Sequence, residues 1–283
     1  MRALLRCLAL LLCWPAWALA APAAPTASEA ANAPLRIGVA PHSSARVIIE
    51  MYQPLRLHLE QALKRPVEIV TAPDFTEFAR RGMAQGYDIA ITTGHQARLL
   101  QTDARYIPLL TYKADFKAVT VVLSNSPAKE PKDLAGSTVI GLSETSMVTL
   151  WGQHWLHRNA IPNTTMRYVS ASDSVGQLLI KGEGQAGFMS LANYQNLPPV
   201  VRDKMRVLAE SLPLAGRVYV LNGKLAKQQE AITAALWSFA ATPEAKQYFA
   251  RYKLDGYRNL EPRELVALEP YANEVRMALK PSK

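Results

Sequence analysis

The sequence predicts an α/β protein of two lobes, each a mostly parallel sheet flanked by helices, with two hinge strands between them. Three observations carry this reading. β-like and helix-like segments alternate from Leu35 to Met189, paired β-like stretches interrupt the alternation, and everything after Leu221 reads as helical. Repeated βαβ units imply parallel strands whose faces are covered by helices. The paired stretches stand where a chain would leave one such block and later return to it.

In chain order, residues 35–40 form a strand, 45–63 a helix, 67–71 a strand, 75–85 a helix, 88–92 a strand and 95–101 a helix. Val47, Met51, Leu55, Leu59 and Leu63 step by four, so one stripe of the first helix is apolar. Pro54 lacks an amide hydrogen and should kink or restart that helix. Two adjacent β-like stretches follow, 106–111 and 118–123. The alternation then resumes with strand 137–142, helix 145–159, strand 166–170, helix 174–181 and strand 186–189. Stretches 205–209 and 217–221 are again β-like, and 225–240, 243–252 and 263–278 are helical. The chain is therefore expected to cross near residues 111–122 and return near 207–220. That makes 34–115 with 216–283 lobe one and 116–215 lobe two. No short-period repeat argues for a solenoid.

The 283 residues are 49% hydrophobic and 19% charged, too apolar a mixture for a disordered chain. Residues 1–20 differ from the rest. Arg2 and Arg6 flank or enter an apolar run that ends in Ala18-Leu19-Ala20, the pattern of a cleaved secretory signal peptide. A lipoprotein reading at Cys13 founders on Leu12, where a small residue is needed. Residues 21–33, mostly Ala and Pro, read as a flexible spacer. No other window holds the roughly 18 consecutive apolar residues of a membrane span, so the expected product is exported and soluble. Cys7 and Cys13 both fall in the removed segment, which leaves no disulfide, thiolate metal site or cysteine nucleophile. The formal charge is +9, spread without a Lys/Arg block. No basic cluster with interleaved aromatics points to nucleic acid, whereas an anionic small ligand suits the balance.

Motifs for catalysis are missing. Gly182, Gly184 and Gly187 spell GxGxxG, but a helix precedes them and a strand follows, the reverse of a dinucleotide fingerprint. They read as a helix end and turn. His154 and His157 lie three apart without further metal ligands nearby, and neither a GxSxG elbow nor a Walker loop occurs. No catalytic residue, metal or cofactor is expected. What recurs is hydroxyl side chains where a strand hands over to a helix: Ser43-Ser44, Thr93 with His95, and Thr145-Ser146. Such junctions present unpaired amides, a positive dipole end and hydroxyl donors together, at the strand ends where open α/β sheets bind ligands. Arg98, three residues after His95, adds a fork matched to oxyanions.

The strings LRIGVAPHSSARVIIEMYQPLRLHLEQAL (35–63), YDIAITTGHQARLL (87–100), AKEPKDLAGSTVIGLSETS (128–146), IKGEGQAGFMS (180–190) and LDGYRNLEPRELVALEPYANEVR (254–276) resemble a known family. It is the PhnD-like periplasmic phosphate, phosphite and phosphonate binding proteins of ABC transporters. The resemblance implies the type II periplasmic-binding fold, a periplasmic location, a monomer that presents its ligand to an ABC permease, and no enzymatic activity. A membrane sensor histidine kinase is the alternative partner that the resemblance allows. It also implies that Glu144-Thr145-Ser146 stands for the family's Ser-Thr-Ser helix start, so Thr145 and Ser146 inherit contacts to ligand oxygens. Two positions depart from the family pattern. His42 stands where an aromatic is usual, and Ser190 where an acidic residue meets a ligand amine or a protonated oxygen; a neutral Ser190 weakens recognition of an aminoalkylphosphonate. A mature chain without cysteine also lacks what arsenite-capturing members use. The expected ligand is thus a small oxyanion, held by Ser43, Ser44, Thr93, His95 and Arg98 from lobe one and Thr145, Ser146 and Ser190 from lobe two.

Overall fold

In the computed structural model, residues 33–280 are described. The expected signal peptide, both cysteines and nearly all of the spacer lie outside them. Two sheets organise the chain. The first begins with β1 (Leu35–Val39), α1 (Ala45–Leu63), β2 (Val67–Val70), α2 (Phe75–Met83), β3 (Ile89–Thr93), α3 (Gly94–Asp103) and β4 (Tyr106–Tyr112). The second holds β5 (Ala118–Leu123), β6 (Thr138–Gly141), α4 (Met147–Arg158), β7 (Thr165–Tyr168), α5 (Ser172–Ile180), β8 (Ala186–Ser190), α6 (Leu191–Gln195), α7 (Pro199–Arg202) and β9 (Met205–Glu210). The chain then returns through β10 (Arg217–Asn222) to α8 (Gln229–Ala240), α9 (Pro243–Tyr252), β11 (Tyr257–Arg258) and α10 (Glu269–Ala278).

Strand order is β11-β4-β10-β3-β1-β2 in the first sheet and β7-β6-β8-β5-β9 in the second. β1 pairs in parallel with β2 and β3, and β6 with β7 and β8. The returning β10 runs antiparallel between β3 and β4, and the outgoing β5 antiparallel between β8 and β9. These two inserted strands fix the geometry of the whole molecule. Arg217, at the start of β10, registers opposite Thr93 at the end of β3, and Ala118 at the start of β5 opposite Ser190 at the end of β8. Both crossings therefore leave and enter at the carboxyl edges of the parallel strands. Residues 113–117 and 211–216 are too short to reach anywhere else, and the two connectors are bridged to each other at Phe116 and Leu214.

Side chains alternate across each strand, so β10 sends Val218 and Val220 to one face of its sheet and Tyr219 and Leu221 to the other. The second pair packs with Ile37, Val39, Ile89 and Ile91 against Tyr52, Leu55 and Leu59 of α1 and Leu236, Phe239 and Tyr248 of α8 and α9. The first pair joins Phe78, Tyr87 and Ala97 in a core that continues into Val119, Ile140, Phe188 and Trp151 of the second half. Helix α10 packs on α3 through Ala272 and Val275 beside Leu99, in a small cluster that also takes in Leu150 of α4.

Several local expectations change. Helix α1 runs without a restart through Pro54, and its buried stripe is Ile48, Met51, Tyr52, Leu55 and Leu59 rather than one ending at Val47 and Leu63. The helix expected at 225–240 divides, because residues Gly223–Gln228 form a 3-10 segment in which Leu225 leaves helical geometry. The glycine string behaves as a turn. Gly182 has a φ of +74°, and a Cβ on Gly184 or Gly187 would strike Ile140 or Val175, so those two glycines permit close packing and no phosphate loop. His154 meets Glu274 at 2.5 Å and stacks on Tyr271, while His157 is exposed. Among the described residues no three metal-ligating side chains converge, and no helix is long and apolar enough to cross a membrane.

Candidate ligand-binding site

The facing carboxyl edges enclose a cleft with an inner and an outer cavity. The inner one, about 30 Å³, is lined by Ala40, His42, Thr92 and Thr93 from the first sheet, Ser146, Met147, Val148, Ser190 and Asn193 from the second, and Phe116 of a connector. The outer one, about 380 Å³, is lined by Ser43, Ser172, Asp173, Asn193, Arg251 and Tyr252 among others. His42, Asn193 and Arg217 border both.

Helix geometry supplies donors to the inner cavity. Ser146 caps α4 by accepting the Thr149 amide, so the Met147 and Val148 amides occupy first-turn positions that have no acceptor within the helix. The positive end of the α4 dipole lies with them. Gly94, at the start of α3, approaches the return connector closely: a Cβ there would lie 2.5 Å from Leu268 and 2.7 Å from Ala215, and its amide donates to the Ala215 carbonyl.

Arg217 is the charge of the site. Its side chain forms no ion pair among the described residues, and the guanidinium's one polar contact there is a nitrogen 3.9 Å from Met51 Sδ. Burial works against its charge, but the hydroxyls of Tyr52, Tyr112, Tyr248 and Tyr219 nearby favour it, and the group stays a cation. Those tyrosines do not neutralise it. Burial pushes Tyr112, Tyr219 and Tyr248 well above the usual phenol range, and they form a neutral chain in which Tyr112 bonds Tyr219 and Tyr248 at 2.6 Å and Tyr219 bonds Tyr257 at 2.9 Å. No carboxylate lines the inner cavity. On the side of the inner cavity this half-buried cation meets only neutral groups, which is costly unless something else supplies the negative charge.

His42 is the second unusual group. Its Nδ1 lies 2.9 Å from the Ala40 carbonyl, which can only accept, so Nδ1 carries the hydrogen. Its Nε2 is buried and meets no partner. Burial, and then the Arg217 cation, hold the ring's pKa well below the usual histidine range. The His42 carbonyl accepts from Ser172 Oγ at 2.8 Å and Asn193 Nδ2 at 3.1 Å, both from the second half.

The eight residues expected to bind ligand separate into two groups. Thr93, Ser146 and Ser190 line the inner cavity and Ser43 the outer one. The other four do not line either. Arg98 is committed to Glu269 of α10 at 2.5 Å, since it lies on the α3 face that α10 covers. Ser44 takes the N-cap position of α1 without bonding through its side chain. His95 is fully buried, with Nδ1 3.1 Å from Thr93 Oγ1 and Nε2 donating to the Thr145 carbonyl at 3.0 Å. Thr145 Oγ1 lies 3.0 Å from Thr76 Oγ1, and the neighbouring Ser143 Oγ accepts from the Phe75 amide at 3.3 Å. His95 and Thr145 thus tie the two halves together beside the cavity. Sequence reasoning missed Arg217 and Asn193 and left His42 out of the site. The available signal for Arg217 was a lone cation opening an alternating strand, Arg-Val-Tyr-Val-Leu, at the predicted return crossing.

Comparison with known proteins follows the same lines. Solved structures with this fold include a Xanthomonas citri protein bound to chloride ion, 22% identical over 86% of this chain and 99% of that one, with a TM-score of 0.72. PhnD1 from Prochlorococcus marinus, in complex with methylphosphonate, is 15% identical over 86% and 98% of the two chains, with a TM-score of 0.75. The periplasmic aliphatic sulphonate binding protein SsuA from Escherichia coli is 16% identical over 86% and 92%, with a TM-score of 0.63. No curated protein matches the chain in sequence. The profile of the ABC transporter, phosphonate, periplasmic substrate-binding proteins matches residues 37–265. With a two-sheet cleft of the type II periplasmic-binding kind and a matched segment covering most of its length, the chain belongs to that family of periplasmic substrate-binding proteins of ABC transporters.

Proposed function

We propose that the protein captures a small phosphate-, phosphite- or phosphonate-like oxyanion against Arg217 and delivers it to an ABC permease in the membrane. One observation carries the reading: a half-buried guanidinium, without a carboxylate partner, borders both cavities between the two sheets. The first-turn amides of α4 and the Ser190 hydroxyl complete a set of donors from the other half. Binding needs only such convergence, whereas catalysis needs a positioned base or nucleophile with a substrate atom in reach. Residues 34–115 with 216–283 and residues 116–215 act as the two lobes. A ligand touching both favours the closed arrangement, since only unequal affinity for open and closed forms shifts their balance. Export through a cleaved signal peptide places the monomer in the periplasm.

Calorimetric titration of the mature protein with inorganic phosphate, phosphite and methylphosphonate tests this. At least one should bind, and Arg217→Ala should weaken it by about 10- to 150-fold, the range for a lost charged hydrogen bond. Equal binding by Arg217→Ala, with the variant folded, would overturn the assignment.

A further inference from the structure

We propose that His42 makes the cleft selective for anions whose head group still carries a proton, against fully ionised sulfate or sulfonate. This deepens the anion reading above and rests on it. The hydrogen on Nδ1 is fixed by the Ala40 carbonyl, which leaves Nε2 of the neutral ring as a lone-pair acceptor. That acceptor is buried and unpaired, and the ring walls the same two cavities as Arg217. A head group seated on Arg217 therefore meets donors on one side and an acceptor on the other.

An oxygen that has lost its proton is repelled by that lone pair; a hydroxyl oxygen donates to it. Phosphate esters and phosphonates retain one such hydroxyl until their second ionisation, about pH 6 for a phosphate ester, whereas sulfate and sulfonates carry none near neutrality. Specificity of this kind comes from leaving the wrong ligand facing an unmatched group. Closure sets the ring in place, because the His42 carbonyl is held by Ser172 and Asn193 from the opposite half. The charged and titratable groups around His42 are Arg217 from β10, Tyr52 from α1, Asp173 from α5, and Arg251 and Tyr252 from α9. Asp173 and Arg251 line only the outer cavity, so the inner one has no carboxylate to take the acceptor's place.

Calorimetry with methylphosphonate and methanesulfonate, across a pH series at constant ionic strength, decides the matter. The wild-type protein should prefer methylphosphonate by about tenfold or more, and its apparent affinity should fall by up to about tenfold per pH unit above that ligand's second ionisation. His42→Phe should bring the two affinities within about threefold and flatten the pH dependence, and His42→Asn, which keeps an acceptor oxygen, should restore part of the preference. Thermal unfolding of each variant separates a lost contact from a lost fold. Equal affinity for both ligands that still depends on Arg217 would overturn this inference alone. So would tighter methylphosphonate binding as its last proton leaves, or an unchanged preference in a folded His42→Phe. Binding of neither ligand would overturn the anion reading, and this inference with it.

Discussion

His95 shows how one side chain can be read from its partners. The Thr145 carbonyl accepts from Nε2, so Nδ1 is the acceptor and Thr93 Oγ1 its donor, and the ring is neutral with both nitrogens occupied. Burial lowers its pKa from 6.5 to about 4. A histidine whose folded pKa is depressed binds fewer protons in the folded state, so its stabilising contribution is complete above pH 6.5 and is lost as pH falls toward 4. The full effect is on the order of 3 kcal/mol. Denaturant unfolding of wild type and His95→Gln at pH 7 and pH 4.5 checks the sign: the stability gap between them should narrow on acidification. A gap that widens would contradict the neutral assignment. Arg217 and His42 were harder to recognise in the sequence, because nothing local marks a cation or an imidazole as unpaired. That property depends on which elements surround it, and the nearest sequence signal, Arg217 opening β10, looks like any solvated strand end.

Elements, by contrast, follow from local rules. The βα alternation, the two crossings and the capped start of α4 were legible because each depends on periodicity or on hydroxyls ahead of an apolar run. The short helices α6 and α7 and the strand β11 were not legible, since segments of two to five residues complete too little of any period to register. Continuity of α1 through Pro54 also escaped the local rule; burial of Met51, Tyr52, Leu55 and Leu59 on both sides of the proline holds the helix to one sheet. At the start of α4, adjacent residues carry different duties. Ser146 Oγ donates to Thr149 Oγ1 at 2.8 Å and lines the cavity, while Thr145 reaches across to Thr76 and His95. Ser146→Ala should lower stability by about 1 kcal/mol through the lost cap and weaken anion binding. Thr145→Ala should spare the cap. Its hydroxyl bonds the opposite half, so it should act on affinity through closure, with the larger share in the dissociation rate. Stopped-flow and denaturation measurements on both variants separate these effects, and matching profiles would show that the division of roles is wrong.

At the scale of the molecule, topology does most to make the site. Two antiparallel strands inserted among parallel ones start at the carboxyl edges, so both short connectors join those edges and make them face each other. Groups that are unremarkable alone then converge: helix-start amides and hydroxyls from one half, a guanidinium donor and an imidazole acceptor from the other. Half of the anticipated ligand residues line this cleft, because they stand at or just after the carboxyl ends of strands that face it. Of the remainder, Ser44, His95 and Thr145 stand one or two positions from a lining residue and Arg98 five; His95 and Thr145 turn toward the opposite half and Arg98 toward a neighbouring helix, a distinction that spacing along the chain does not encode. The most direct test of the anion trap is a crystal structure of the mature protein with methylphosphonate. The account predicts phosphonate oxygens about 3 Å from the Arg217 guanidinium, within reach of the Met147 and Val148 amides. A head group bound elsewhere, or a carboxylate of the protein itself folded onto Arg217, would contradict it.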